Sequence, residues 1–150
     1  MRLFLVSVLF ITSLFAELKV GDSFPQITLP DQFDNNLSVS KEDKYILMTF
    51  EKDISVEIKD FLMTKEKGFL ENNNVKFVSD ISSMPGFVTT MFALPKMRKY
   101  PFSVMLIYDE DEGKRFNAQE ERITLYKLDN MKITDIKYVT SAELNANLPK

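Results

Sequence analysis

Two short, uninterrupted apolar runs, residues 45–50 (YILMTF) and 102–108 (FSVMLIY), are each bounded by charged or turn-forming residues. Runs of that length, rich in β-branched and aromatic side chains, are what strands buried on both faces require. Between them, from Ser55 onward, Ile58, Phe61 and Leu62 recur at helical spacing, with Glu57, Lys59, Asp60, Lys65 and Glu66 on the other side. This predicts an amphipathic helix ending by Asn72 to Asn74. A short strand at 75–78 (VKFV) comes next, then a second helix over roughly 85–94, with Ser82 or Ser83 available as its cap and Pro95 discouraging its continuation. Two further strands, 123–128 and 132–139, flank Asp129 and Asn130, residues that accept the left-handed backbone of a two-residue hairpin turn. Ser141 is placed to cap a last short helix. The order is strand, helix, strand, helix, strand, strand, helix, which predicts an α/β fold with a mixed sheet, parallel crossovers first and an antiparallel hairpin last.

At 150 residues and 45% hydrophobic, the chain suits one core. Its formal charge is -3, and its lysines are scattered among acids, so no basic stripe is present to neutralise phosphates and nucleic-acid binding is not expected. Histidine and cysteine are both absent. Their absence removes the commonest transition-metal ligands, the commonest general base at neutral pH and every thiolate nucleophile. With four glycines and no phosphate-cradling loop, a flavin or nicotinamide fingerprint is also missing. The acidic run at 109–112 lacks the spacing and closing glutamate of a calcium loop and reads as a solvated turn, in a segment, 109–121, expected to be the most mobile.

The chain opens MRLFLVSVLFITSLFAELK: a positive Arg2, an apolar run over residues 3–15, then a small Ala16 and charge. This is the pattern of a cleavable signal peptide. The run is shorter than the roughly 20 residues a spanning helix needs, so a permanent anchor is the lesser alternative. The expectation is a signal peptide over 1–16, a mature domain over 17–150, and a periplasmic or secreted location without stable membrane insertion.

The element order, together with a proline ahead of the third main strand, resembles the thioredoxin-like superfamily. The opening VGDSFPQITLPDQ sharpens the likeness to its peroxiredoxin-like and periplasmic branches through Val20, Gly21, Asp22, Pro25, Leu29, Pro30 and Asp31. The resemblance covers the chain from Val20 onward and implies a three-layer sandwich with a mixed central sheet. It also implies a cis peptide bond before Pro101 and an Asp/Gly turn at 109–113. In redox-active members a Cys-x-x-Cys begins the first helix, and counting from Phe50 puts Ser55 and Ile58 at those two positions. Thr49 stands where many thioredoxins carry an acid. The resemblance therefore implies a degenerate member that kept the scaffold and lost the redox centre, with thiol oxidoreductase and peroxiredoxin activity excluded.

In that superfamily extended peptides dock beside the cis-proline, and the resemblance places Asp53, Ile54, Ser55, Tyr100 and Pro101 around such a groove. An exposed extended backbone beside an aromatic suits peptide capture. The leading expectation is a non-catalytic module that binds a periplasmic protein or peptide, with no cofactor. Two alternatives stay open: an accessory protein or enzyme of a redox system whose cofactor site is not visible in sequence, and a copper(I) binder using Met84, Met91 and Met97. Against the copper reading, Met91 with Phe87 and Leu94 forms an apolar helical face suited to core packing.

Overall fold

A computed structural model describes residues 16–150. The expected signal peptide, but for Ala16, lies outside the described residues. Strands β1 (Thr28–Pro30) and β2 (Asn36–Ser38) pair as a small antiparallel ribbon. The main sheet is built from β3 (Tyr45–Thr49), β4 (Val75–Asp80), β5 (Met105–Ile107), β6 (Ile123–Asp129) and β7 (Lys132–Val139). Their spatial order is β5-β4-β3-β6-β7. The first three strands are parallel, with Tyr45 opposite Val75 and Val78 opposite Met105, while β6 and β7 run antiparallel to their neighbours. This is the mixed sheet that the element order predicts.

Helix α1 spans Lys52–Met63 and α2 spans Phe69–Asn72. A second helical segment comprises α3 (Gly86–Val88), a π-helical turn (Thr89–Ala93) and α4 (Leu94–Met97). Short helices α5 (Glu110–Gly113) and α6 (Leu144–Asn147) complete the set, the latter preceded by a 3-10 turn at Ser141–Glu143. Because β3, β4 and β5 step across the sheet in one direction, right-handed crossovers put the connecting helices on one face. Accordingly Ile58, Leu62, Leu70, Met97 and Leu144 share a core with Leu47, Phe77 and Leu106. The other face holds Ile46, Met48, Val78, Met105 and Tyr126, and it is covered by Phe24, Ile27, Leu29, Val39 and Phe116. The third layer of the sandwich is thus made chiefly by the leading segment.

Several boundaries differ from the sequence-based expectation, each for a local reason. The first helix opens at Lys52, ahead of Ser55, and breaks before Gly68, whose φ of 83° is left-handed, so residues 52–72 are two helices. The second helix runs past Pro95 to Met97. A proline inside an α-helix removes a hydrogen bond and crowds the carbonyl four residues back. Here the π turn immediately precedes it, with the Leu94 amide donating to the Thr89 carbonyl five residues away. Neither Ser82 nor Ser83 caps this segment. The hairpin loop is Asn130 and Met131, with φ of 49° and 65°, rather than Asp129 and Asn130. Met131 holds this conformation with its side chain against the Phe24 core and its carbonyl accepting from the Phe24 amide at 2.7 Å. At the last helix Thr140, not Ser141, is the cap, and the Glu143 carboxylate accepts from the Thr140 amide at 2.8 Å. The acidic turn is one turn of helix, α5, capped by Asp109 Oδ1 accepting from the Glu112 amide at 3.0 Å.

Candidate functional site

A cavity of about 140 Å³ lies at the C-terminal ends of β3 and β4, between α1 and the irregular second helix. Crevices outside the carboxyl ends of strands are where open α/β sheets place ligands. Its apolar wall is Phe50, Val56, Ile81, Met84, Ala93, Met97 and Tyr100, and its polar groups are Ser55, Ser79, Ser83, Lys52, Asp80 and Lys96. The volume is close to the ~150 Å³ of an apolar cavity that accepts a benzene ring. It suits one apolar side chain.

Strand β4 ends by presenting Ser79, 2% exposed, whose Oγ lies 3.1 Å from Ser55 Oγ. The two hydroxyls hydrogen-bond each other. With no histidine in the chain, neither hydroxyl has an imidazole base beside it. The Ser55 amide donates to the Glu51 carbonyl at 2.9 Å, so it is engaged within the helix and offers no free N–H to an anion. Asp80 Oδ1 accepts from the Ser82 amide at 2.8 Å, which fixes the loop leaving β4. Its Oδ2 lies so close to Gly113 that a Cβ there would sit 1.9 Å away, and glycine at 113 is what admits this carboxylate. Thr49 is fully buried, with Oγ1 donating to the Glu51 carbonyl at 3.2 Å, so it shapes the bend from β3 into α1. Tyr100 packs on Phe102 with ring centroids 5.4 Å apart, and burial raises its phenol above the ordinary tyrosine value.

Of the five residues expected around the groove, the fold brings two together: Ser55 and Tyr100 both line the cavity. Ile54 is buried in the core and Asp53 is exposed on the first turn of α1. Pro101 is exposed and lines a separate, shallow depression beside Leu62 and Phe102. The bond before it is trans, as is every peptide bond among the described residues. Its strand β5 begins only at Met105, on the sheet edge and separated from β3 by β4, so Pro101 does not stand beside the start of α1 as the cis-proline expectation required. Ile58, expected by counting from Phe50 at the second of the two cysteine positions, is fully buried in the helix-side core.

The methionine triad is not assembled at this site. Met84 and Met97 line the cavity, whereas Met91 does not and is 67% exposed. Phe87 and Phe92 are likewise exposed, at 66% and 56%, so the apolar face assigned to core packing points to solvent over most of its length. The π turn carries an extra residue and changes the facing of the residues C-terminal to it, among which Met97 is buried. Among the described residues no three His, Cys, Asp or Glu side chains cluster as a metal site.

The residue that most positions the site is Gln32, to which sequence reasoning gave no role. It is fully buried, and its Nε2 donates to the carbonyls of Met97 at 3.2 Å and Phe102 at 2.8 Å. Its Oε1 accepts from the Val104 amide at 2.9 Å, and its carbonyl accepts from Arg98 Nε at 2.8 Å. One side chain therefore holds the loop that carries Tyr100. Asp31 beside it accepts from the Phe33 and Asn35 amides at 2.8 and 2.9 Å, turning the chain so that Gln32 points inward. The only signal for Gln32 in the sequence is its place directly after Asp31 of the family opening.

No family model and no curated protein matches the sequence. Solved structures do match. A peroxidoxin from Mycobacterium tuberculosis superposes with a TM-score of 0.56 at 15% identity, over 87% of this chain and 93% of its own. The thioredoxin domain of a thiol-disulfide oxidoreductase from Bacteroides vulgatus does so at 0.56 and 16%, over 87% and 95%. A thio-disulfide isomerase from Thermus thermophilus gives 0.53 and 19%, over 89% and 100%. At these identities the likeness establishes the fold alone: this chain has a thioredoxin-like α/β fold, and it has it without a cysteine.

Proposed function

We propose that this cysteine-free thioredoxin-fold chain is an exported binding module that receives one apolar side chain of an extended protein segment in the cavity beside Ser55 and Tyr100. The observation that carries the reading is the cavity itself. It is apolar on most of its wall, sized for one ring, and seated beside the position where a redox-active relative would begin its cysteine pair. What remains there is a self-paired serine couple, a desolvated aromatic edge and two lysines at the rim, Lys52 and Lys96. Those groups recognise: the wall takes the side chain and the lysines meet carbonyl or carboxylate oxygens of the same segment. They supply no thiol couple.

Export is the second part of the proposal. It rests on the signal pattern over residues 1–16, and the described residues that follow it are tied to the domain. The Leu18 amide donates to Asn117 Oδ1 at 3.1 Å, and Asn117 Nδ2 donates back to the Leu18 carbonyl at 2.9 Å. Cleavage after Ala16 leaves that anchor intact and frees the domain in the periplasm.

The test is selection from a displayed peptide library, followed by calorimetry of the selected peptide against the parent, Tyr100→Ala and Ala93→Phe, the last placed to fill the cavity. The expected result is a consensus with one aromatic or large aliphatic residue, and affinity lowered about tenfold or more by either substitution. Failure to enrich any sequence, or equal affinity for Ala93→Phe, contradicts the proposal.

A further inference from the structure

We infer that the exposed crown of the second helix is a peripheral docking face for an anionic lipid surface. Phe87, Met91 and Phe92 lie within six positions and are 66%, 67% and 56% exposed. Scattered apolar side chains on a surface need no explanation, but a contiguous group of three large ones marks an interaction site. None of them lines the cavity at the strand ends or the depression on the other flank of the helix beside Thr90 and Tyr108. They project.

Charge says what they project toward. Across residues 81–108 there is no aspartate or glutamate, and the cations Lys96, Arg98 and Lys99 come directly after the crown, in a chain whose formal charge is -3. Arg98 is shared with Asp34, Nη2 to Oδ2 at 3.8 Å. Lys96 and Lys99 form no ion pair among the described residues. A second copy of this chain is a poor occupant, because a two-fold contact centred on the helix brings this cationic set against itself. An acidic protein satisfies the charges but needs a groove matched to three projecting side chains. A fluid anionic bilayer accepts them without one: apolar side chains enter the boundary between headgroups and acyl chains, and flanking lysines meet the phosphates. No described helix is long and apolar enough to cross a membrane, so the contact is peripheral.

The test is cosedimentation of the processed protein, residues 17–150, which contain every described strand, helix and core residue. The probes are vesicles of phosphatidylcholine alone and of phosphatidylcholine with phosphatidylglycerol. The expected result is binding at least about tenfold tighter to the phosphatidylglycerol vesicles, weakened several-fold by Lys99→Gln and by raised salt. The triple variant Phe87→Ser, Met91→Ser, Phe92→Ser is expected to lose binding about tenfold or more while keeping its thermal transition. Phe87→Ser alone serves if the triple variant melts early. None of these residues lines the cavity, so loss of vesicle binding with unchanged peptide affinity separates this proposal from the one above. No sedimentation with phosphatidylglycerol vesicles, or full binding by the serine variants, overturns it. Binding of polyglutamate but not vesicles, abolished by the same substitutions, overturns it in favour of an acidic protein partner.

Discussion

The two faces of the sheet are finished differently. On the face covered by the leading segment, polar groups are buried and bonded: Tyr126 Oη accepts from the Asn117 amide at 2.8 Å, and Thr124 Oγ1 donates to the Asn117 carbonyl at 2.8 Å. Among the described residues no buried side-chain polar atom lacks a partner. On the helix face, by contrast, the second helix carries a π turn, leaves Phe87, Met91 and Phe92 in solvent, and walls a cavity. One face closes the fold and the other leaves a cavity and an exposed apolar crown. Binding regions are drawn from the less tightly held parts of a structure, and these two regions are separable by mutation.

The largest effect is expected where the two regions meet. Gln32 belongs to the leading segment yet holds the loop of Tyr100, and Gln32→Ala strands the Val104 amide and the Met97 and Phe102 carbonyls. A loss of about 3–9 kcal/mol in chemical denaturation is expected, together with lost peptide affinity, since three buried groups left unpaired cost about 1–3 kcal/mol each. If stability falls and affinity does not, the loop is not positioned by Gln32 and the comparison is broken.

Next is Ile58→Ala, which opens the core under α1 and is expected to cost about 2–5 kcal/mol in the same denaturation experiment. Gly113→Ala sharpens the boundary further. Its new methyl displaces the Asp80 carboxylate, and a loss of about 1–3 kcal/mol with a changed cavity rim is expected.

Tyr126 gives the closed face a pH signature. Burial raises its phenol well above the ordinary value, so the folded state holds that proton more tightly than the unfolded chain. The contribution is fully present below the unfolded pKa of about 10 and is lost as pH rises above it. Thermal melts are expected to be flat with respect to this group to about pH 9 and to drop beyond about pH 10, and Tyr126→Phe is expected to reduce that drop. The smallest effects belong to the open face. Ser55→Ala is expected to cost about 1 kcal/mol, because it leaves one hydroxyl, that of Ser79, unpaired at the cavity wall. Phe87→Ser is expected to stay within about 0.5 kcal/mol in thermal melts.

Legibility in the sequence divides along the same line. Strands at 45–49 and 132–139 were readable, and the one expected at 75–78 is found and runs on to Asp80, because bounded apolar runs report burial directly. The absence of cysteine, and with it of thiol chemistry, was readable from composition alone. Less legible were features set by hydrogen bonds between distant residues. Nothing local in Gln32 announces that it will bond Val104 across the molecule. The exposure of Met91 and Phe87 was hidden because a helical period of apolar residues does not say what, if anything, covers that face. Of the residues expected around a groove, Ser55 and Tyr100 line one cavity, while Pro101 lies apart from it because sequence order does not tell an edge strand from a central one.

Whether the cavity beside Ser55 and Tyr100 takes an apolar side chain is the central question, and the chain's own methionines report on it. With the methionine methyls carbon-13 labelled, a display-selected peptide is titrated while their NMR shifts are followed. Met84 and Met97, which line the cavity, are predicted to shift and saturate together, while Met91 on the outer crown and Met48 in the opposite core stay put. Movement of Met91 with Met84 and Met97 unchanged would contradict the cavity as the binding site.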